Sequence, residues 1–263
     1  MRKNDAQGGS LWLVFPPGIT VPRSLMSRKH ASNSLRPLEI RTGYLENRPA
    51  SVLYSCGHTR VLCVASMESG VPRWLEEAGK GWATAEYDML PGATVPRHSR
   101  QRDGKIAGRT QEIQRLIGRS LRGILDLKKL AGWTLRIDCD VLQADGGTRT
   151  TSINAAFLAT CLAVDAAVKV GQLDASPIRE ELGAISVGLV DGDALLDLDY
   201  REDSSADVDL NVVQEGSGKL LEVQGTAEGA SYSRQDLDRL LDLAEHGIRE
   251  ILEVGRRTLQ SCR

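Results

Sequence analysis

The chain has 263 residues, enough for one large domain or two small ones. Hydrophobic residues make up 41% of the chain, enough to form a sizeable core. Only 4% of the residues are aromatic, so this core must be mainly aliphatic. The net charge of −2 is close to neutral, and the absence of a continuous apolar run of about 18 residues predicts that no segment spans a membrane.

Residues 1–25 show neither helical nor strand periodicity, and their apolar stretch Leu11–Phe15 is too short for a signal sequence. We interpret this segment as a disordered leader, or as an upstream start that precedes a working Met26. The 5 cysteines form no CxxC pair, which indicates free thiols in a reducing compartment and predicts a cytoplasmic protein. The 4 histidines are scattered, which disfavours a zinc site or a Ser–His–Asp triad.

The first predicted elements are two β-rich runs at 51–67 that flank Cys56-Gly57-His58, a pattern typical of a hairpin. The following stretch, 68–109, is rich in glycine and proline, and we interpret it as an irregular loop that is functional or disordered. A helix is predicted next, with Thr110 as its N-cap. Its apolar stripe consists of Ile113, Leu116, Ile117, Ser120, Leu121 and Ile124.

A strand and a helix follow in the middle of the chain. The stretch TLRIDCDVL (134–142) alternates apolar and polar residues, which predicts a half-buried strand. Small residues then predict a helix from about Thr148 to Val170, and Gly171 ends it.

The last third of the chain predicts two hairpins and a helix. The hairpins turn at Asp191-Gly192-Asp193 and at Gly216-Ser217-Gly218. The helix begins at Ser233, with Asp236 as its capping-box partner. The order of elements predicts an α+β fold in which antiparallel pairing dominates and helices pack on one face of the sheet.

Charged residues separate by sign along the chain. Between Arg97 and Arg122 there are eight basic residues against two acids, and between Asp191 and Asp209 there are eight acids against one base. A basic stretch in a glycine-rich loop suits a polyanion, and a dense acidic stretch suits a divalent cation. Taken alone, a charge run is more often a solvated face than a binding site.

The stretch LQADGGTRTTSINAA (142–156) joins the predicted strand to the predicted small-residue helix. The first N–H groups of a helix lack backbone partners and attract an anion, and Gly146 and Gly147 let the backbone approach a ligand closely. Thr148 adds a hydroxyl, and Arg149 adds a guanidinium that can grip a phosphate bidentately. These residues predict a pocket for one phosphate-sized anion, with an ordinary strand–helix turn as the alternative.

Arg109 has a related position, directly ahead of the helix predicted from Thr110. Two arginines at two helix starts could converge on one anion, or Arg109 could be a surface residue. Without further information, a metal-dependent enzyme acting on a small phosphorylated metabolite also fits these patterns.

Five long blocks of the sequence resemble the bacterial ribonuclease PH family, the phosphate-dependent tRNA nucleotidyltransferases. The blocks are GVPRWLEEAGKGWATAEYDMLPGAT, GRTQEIQRLIGRSLRGILDL, DCDVLQADGGTRTTSINAAF, DLDYREDSSADVDLNVV and VQGTAEGASYSRQDLDRLLDLAEHGI. The similarity runs from about Leu35 to Arg257 in the order expected of that family. It implies the ribonuclease PH fold, a βαβα arrangement with mixed sheets, in two parts that we place at 26–173 and 174–263.

The resemblance implies a phosphorolytic 3′-to-5′ exoribonuclease that trims precursor tRNA with inorganic phosphate. Such an enzyme releases nucleoside 5′-diphosphates and adds nucleotides to RNA 3′ ends in reverse. The implied site residues are the phosphate ligands Arg109, Gly147, Thr148 and Arg149 and the catalytic, Mg²⁺-binding pair Asp203 and Asp209. The family commonly assembles as a homohexamer, a trimer of dimers, which is the assembly we expect.

Two regions depart from the family pattern. Gly92 replaces an arginine of a basic RNA-binding loop, whereas Arg97 and Arg100 match later arginines of that loop. The blocks SRKHASNSLRP and PASVLYSCGHTRV also differ from the usual sequence, which bears on subunit contacts and RNA docking. The alternative within the same fold is a non-catalytic RNA-binding ring subunit of an exosome-like assembly.

Overall fold

The structure of the protein is a computed structural model that describes residues 28, 30–100, 106–229 and 231–262. The segment 1–25, interpreted above as a leader, lies outside the described residues.

The first sheet has five strands in the order β1-β2-β3-β5-β4. Its strands are β1 Leu38–Thr42, β2 Ser51–Cys56, β3 Thr59–Ser69, β4 Trp82–Met89 and β5 Trp133–Gln143. All neighbours are antiparallel except β4 and β5, which run parallel. The predicted hairpin at 51–67 is confirmed as β2 and β3, and Gly57 turns it with a φ of 57°.

The second sheet has four antiparallel strands in the order β7-β6-β8-β9. Its strands are β6 Leu182–Val190, β7 Asp193–Leu196, β8 Val208–Glu215 and β9 Leu220–Ala227. The two predicted hairpins are therefore confirmed. The helices are α1 Gly108–Ile124, α2 Thr148–Lys169, α3 Tyr200–Ser205 and α4 Arg234–Gln260.

Two hydrophobic clusters form the core. One lies between the first sheet and helices α1 and α2, and the other lies between the second sheet and α4. Helix α2 packs on β2, β3 and β5 of the first sheet and on β6 of the second, so it joins the two halves. The mixed first sheet and the antiparallel second sheet, each packed against helices, confirm the predicted α+β class.

Helix α2 is long and apolar enough, by length and composition, to cross a membrane, the one such helix among the described residues. However, 78% of its most apolar stretch is buried inside the fold. Its apolar character is therefore that of a core helix packed on two sheets.

The interpretation of 68–109 as irregular throughout is wrong. A 3₁₀ turn spans Arg73–Ala78, and β4 follows at Trp82–Met89. The inward positions of β4 are mainly alanines, Ala83 and Ala85, so its apolar alternation is weak in the sequence. Its parallel pairing with β5 also cannot be recognised from a local hairpin signal.

The N-cap assignment of Thr110 is also wrong. Helix α1 begins at Gly108 after the extended residue Ala107, and Gln111 N donates to Ala107 O at 3.1 Å. Thr110 lies inside the first turn and is buried, so its position belongs to the packed face of the helix.

The predicted boundaries of α2 and the start of α4 are confirmed. Helix α2 ends at Lys169 and Gly171 follows with a φ of 72°. At the other helix, Ser233 and Asp236 form the predicted capping box.

Candidate active site

The position of α2 is set by a paired hydrogen bond to the second sheet. Asn154 Nδ2 donates to Ala184 O at 2.9 Å, and Ala184 N donates to Asn154 Oδ1 at 2.8 Å. Both amide groups are buried, so the bonds fix the helix over β6. The N-terminus of α2 lies against the middle of β6, where a Cβ added at Gly147 would lie 3.7 Å from Ser186 Oγ.

The turn ahead of α2 consists of Asp145, Gly146 and Gly147 and is called the phosphate turn below. Gly146 and Gly147 have φ values of 73° and 61°, which favour glycine. Thr59 braces the turn, because its Oγ1 donates to Gly146 O at 2.6 Å and accepts from Asp145 N at 2.9 Å. Gly147 is the N-cap of α2 and supplies no side-chain cap, which leaves the first N–H groups available to an anion.

The phosphate turn packs directly on the segment that leads into α3. A Cβ added at Gly146 would lie 2.5 Å from Leu198 O and 2.8 Å from Tyr200 N. Asp199 then starts α3 through a capping box with Glu202. This close approach brings α3, and with it Asp203, alongside the turn.

The second acid comes from β8. Asp209 and Asn211 are two residues apart on this strand and therefore point to the same face of the sheet. Their cross-strand partners on β6 are Gly188 and Ser186. One face of β6 and β8 thus presents a carboxylate, an amide and a hydroxyl beside the phosphate turn.

These elements enclose one cleft of about 310 Å³. It is lined by Met89, Thr94, Arg109, Ala144, Gly146, Gly147, Thr148, Arg149, Ser186, Tyr200, Asp203, Asp209 and Asn211. All six residues that the family resemblance implies for phosphate binding and catalysis are among them. The two helix starts that carry Arg109 and Arg149 do converge.

Two neighbours hold the guanidinium of Arg149. Its Nη1 donates to Gln224 Oε1 at 2.6 Å, and its Nη2 lies 3.5 Å from Glu112 Oε2. Gln224 Nε2 in turn donates to Glu112 Oε1 at 3.0 Å. Helix α1 and strand β9 therefore orient an arginine that belongs to α2.

Thr148 is oriented from the first sheet. Tyr87 Oη and Thr148 Oγ1 lie 3.1 Å apart, and both side chains are buried. Burial raises the pKa of Tyr87 above its ordinary value, although the Thr148 hydrogen bond and the charge of Arg109 oppose this. Tyr87 therefore stays protonated at neutral pH and can donate to Thr148.

The two cleft carboxylates have raised pKa values. Burial raises the pKa of Asp203 most, the Asp209 charge raises it further, and Arg109 and Arg149 oppose the shift. Burial also raises the pKa of Asp209, and Arg149 again opposes it. The cleft thus places two mutually repelling acids beside two arginines.

Comparison with known proteins agrees with this arrangement. The sequence profiles of the 3′ exoribonuclease family match domain 1 at residues 34–164 and domain 2 at residues 182–247. Ribonuclease PH of Rhodopirellula baltica is 53% identical over 232 residues, which cover 86% of this chain and 94% of that protein. The chain belongs to the ribonuclease PH family.

A second relative and a solved structure support the same conclusion. Ribonuclease PH of Crocosphaera subtropica is 53% identical over 230 residues, covering 88% of this chain and 95% of that protein. The Archaeoglobus fulgidus exosome with RNA bound to the active site matches with a TM-score of 0.72 at 22% identity, covering 85% of this chain and 90% of that one. This likeness confirms the fold.

Membership of the ribonuclease PH family makes the chain a phosphorolytic 3′-to-5′ exoribonuclease, a phosphate-dependent nucleotidyltransferase. The predicted family and activity are confirmed. The division at 26–173 and 174–263 and the roles of the individual site residues stay predictions.

The basic run of this ribonuclease PH family member does not form a single surface. Arg109 lines the cleft, whereas Arg119 forms a two-point ion pair with Glu222 at 2.8 and 2.9 Å. Arg122 lies 4.3 Å from the Trp82 ring centroid. Arg97 and Arg100 are exposed on the loop after β4 and do not line the cleft, and residues 101–105 lie outside the described residues.

The acidic run separates in the same way. Asp203 and Asp209 line the cleft, whereas Asp197 is buried in an ion pair with Arg36 and Asp199 caps α3. Within the part of the chain that the structure describes, no group of three or more His, Cys, Asp or Glu side chains is arranged to hold a metal. The run is therefore not one cation site.

Sequence reasoning missed four polar residues of the cleft, Thr94, Ser186, Tyr200 and Asn211. Asn211 could have been found, because it follows Asp209 by two positions in an alternating strand. Ser186 carries no local signal, and it enters the cleft only because β6 pairs with β8. Its Oγ is buried and has no hydrogen-bond partner among the described residues.

Proposed function

We propose that this cleft is where inorganic phosphate attacks the 3′-terminal phosphodiester of a precursor tRNA. One observation carries the proposal. Two arginines and two aspartates, each from a different helix or strand, line the same cleft as the glycines of the phosphate turn. In the reaction a phosphate oxygen bonds to the terminal phosphorus, the bond to the neighbouring 3′-oxygen breaks, and that oxygen takes up a proton. The product is a nucleoside 5′-diphosphate and RNA shortened by one nucleotide.

Arg109, Arg149 and the N–H groups at the start of α2 would hold the attacking phosphate. Both reacting groups are negative, so their approach requires fixed positive charge at this position. Arg149 is held by Gln224 and Glu112, so its guanidinium is oriented before phosphate arrives. Positioning of the nucleophile in line with the scissile bond then supplies much of the rate enhancement.

The acid pair fits a magnesium ion. Asp203 and Asp209 offer carboxylate oxygens, and the Asn211 amide and the unpartnered Ser186 hydroxyl offer further oxygens at the same wall. Mg²⁺ is usually held by one or two carboxylates together with waters and substrate phosphate. When bound, it would supply charge stabilisation at the scissile phosphate.

For the RNA, the assembly and the compartment we propose precursor tRNA, a homohexamer and the cytoplasm. Arg97 and Arg100 are exposed beside β4, where they can contact phosphates of the RNA backbone. The homohexamer is the assembly that the resemblance to the family implies. All five cysteines are free thiols, which fits a reducing compartment.

The alternative, a non-catalytic RNA-binding ring subunit, would not need a complete cleft. Both arginines and both acids are retained and face the cleft, which favours the active enzyme.

The decisive experiment is incubation with a 3′-extended tRNA, with and without inorganic phosphate. We expect shortening of the RNA and release of nucleoside diphosphates only when phosphate is present. RNA that is bound but never shortened would identify the non-catalytic subunit instead.

A further inference from the structure

The ion pair of Arg36 and Asp197 joins segments that are 161 residues apart in the chain. Arg36 Nη2 donates to Asp197 Oδ1 at 2.7 Å, and the Arg36 backbone N donates to Oδ2 at 2.8 Å. The two residues expose only 4% and 2% of their surface. Neither lines the cleft, so any effect on the reaction must be transmitted through their neighbours.

On its other side, Arg36 contacts the phosphate turn. Its Nη1 donates to the carbonyl of Asp145, the first residue of that turn. A Cβ added at Gly147 would lie 3.1 Å from Arg36 Nη2, so the guanidinium sits directly against the N-cap of α2. The same planar group therefore touches the phosphate turn and Asp197.

Asp197 connects to the acidic part of the cleft. It has a φ of 57°, and its backbone N donates to Ser186 O on β6 at 2.8 Å. Cys56 Sγ also donates to its carboxylate at 3.1 Å. Two residues later, Asp199 begins α3, which carries Asp203.

We propose that Arg36 and Asp197 are positioning residues that fix the phosphate turn relative to the acid-bearing segment of α3. This inference rests on the proposed function of the cleft. A guanidinium can bond to the turn and to the carboxylate at once because its donors form a rigid fork. A lysine ammonium keeps the charge but cannot reproduce that geometry.

Stability alone gives little reason for such a pair. Desolvation offsets much of the attraction in a buried ion pair, and replacement of both partners by apolar residues is often neutral or stabilising. Removal of one partner leaves an unpaired buried charge, so single neutral substitutions would confuse misfolding with mispositioning. The informative changes are Arg36→Lys and the double change Arg36→Met with Asp197→Asn. Asparagine tolerates the left-handed φ of 57° at position 197 and still offers an oxygen to the backbone N of residue 36.

The test measures inorganic phosphate binding by calorimetry, the KM for phosphate and kcat with 3′-extended tRNA, and the Tm. We expect both variants to melt near the parent Tm but to bind phosphate about tenfold more weakly, with a matching rise in KM. A displaced turn weakens charge-assisted hydrogen bonds to the phosphate, and a tenfold loss of affinity corresponds to about 1.4 kcal/mol. The control is Arg136→Lys, which alters an exposed ion pair with Glu68 on the first sheet and should leave all values unchanged.

Parent-like phosphate affinity and KM in Arg36→Lys would overturn the proposal, whether or not the double variant folds. A fall in kcat with unchanged KM, in step with a lower Tm, would also overturn it, because that is the signature of lost folded protein. Calorimetry separates this question from the proposed function: if the parent protein binds phosphate but shortens no RNA, the proposed function fails, while weaker phosphate binding by Arg36→Lys still supports the positioning role.

Discussion

Arg149 Nη1 donates to Gln224 Oε1 at 2.6 Å, across the boundary between helix α2 and strand β9. Gln224 also donates to Glu112, which approaches the same guanidinium. The proposed phosphate ligand is thus oriented by a neutral carbonyl and an acid, and its remaining N–H groups are available to the cleft.

The Gln224 contact yields a first prediction. Gln224→Leu should raise the KM for phosphate by about three- to tenfold, because a hydrogen bond to a charged group is lost and the guanidinium is less ordered. Phosphate-dependent kinetics at saturating RNA measure this. Arg41→Gln is the control, since it alters an exposed ion pair with Glu39 on β1, outside the cleft. Equal KM values for the parent and Gln224→Leu would contradict the role of Gln224.

Arg109 gives the second prediction. Arg109→Ala should lower the rate of phosphate-dependent RNA shortening by about 100-fold or more, because it removes a positive charge that would stabilise the negatively charged reacting phosphates. A cation in the first turn of a helix is unfavourable, so the free energy of unfolding should stay within about 0.5 kcal/mol of the parent value. Arg115→Ala, on the exposed face of the same helix, should retain full activity. Substantial activity in Arg109→Ala would refute the assignment.

Gly146 gives the third prediction. Both Gly146 and Gly171 have left-handed φ values, 73° and 72°, but a Cβ at Gly146 would meet Leu198 O at 2.5 Å, whereas one at Gly171 meets nothing within 4 Å. Gly171→Ala should therefore cost about 1–2 kcal/mol of backbone strain. Gly146→Ala should cost about 3 kcal/mol or more, because overlap adds to the strain, and it should abolish phosphorolysis. Chemical denaturation of both variants compares the two costs, and similar values would show that the turn can move away from α3.

The phosphate turn also shows how far local sequence patterns extend. The glycines, the helix start at Thr148 and the capping box at Ser233 could all be predicted, because each depends on a few adjacent residues. Strand β4 could not, because alanines at its inward positions weaken the alternation. Arg36 stands in the plain stretch SLRPLEI. Its role depends on Asp197 and Asp145, which only the tertiary fold brings near it.

The raised pKa of Asp203 gives the fourth prediction. In the folded protein, burial and the charge of Asp209 disfavour the charged form of Asp203 and raise its pKa. The stability that Asp203 contributes is therefore fully present below its pKa in the unfolded chain and is lost as the pH rises through its pKa in the folded protein. Asp203→Asn should abolish activity, because it removes a proposed catalytic carboxylate. It should nevertheless raise the free energy of unfolding at pH 7, by less than about 1 kcal/mol because the side chain is partly screened by solvent. The gain should vanish below about pH 3, where Asp203 of the parent protein is protonated in both the folded and the unfolded state.

Asp236→Asn is the control for Asp203→Asn, since the pKa of Asp236 is shifted in the opposite direction. Hydrogen bonds from Ser233 lower the pKa of Asp236, so its charge stabilises the fold above the unfolded pKa and the substitution should destabilise the protein at neutral pH. Denaturation curves at several pH values would show the two variants shifting in opposite directions. Destabilisation of Asp203→Asn at pH 7 would contradict the argument.

Gly92 gives the fifth prediction, which concerns RNA rather than phosphate. It is exposed on the loop that also carries Arg97, and a Cβ at this position would meet nothing within 4 Å. An arginine therefore fits without displacing a neighbour and adds one phosphate contact. Gly92→Arg should tighten tRNA binding and make the slope of log K against log salt more negative by about 0.7–0.9, with little change in the KM for phosphate. Gly92→Gln, similar in reach but uncharged, should leave the slope unchanged. A salt slope for Gly92→Arg that equals that of Gly92→Gln would show that this loop does not contact the RNA backbone.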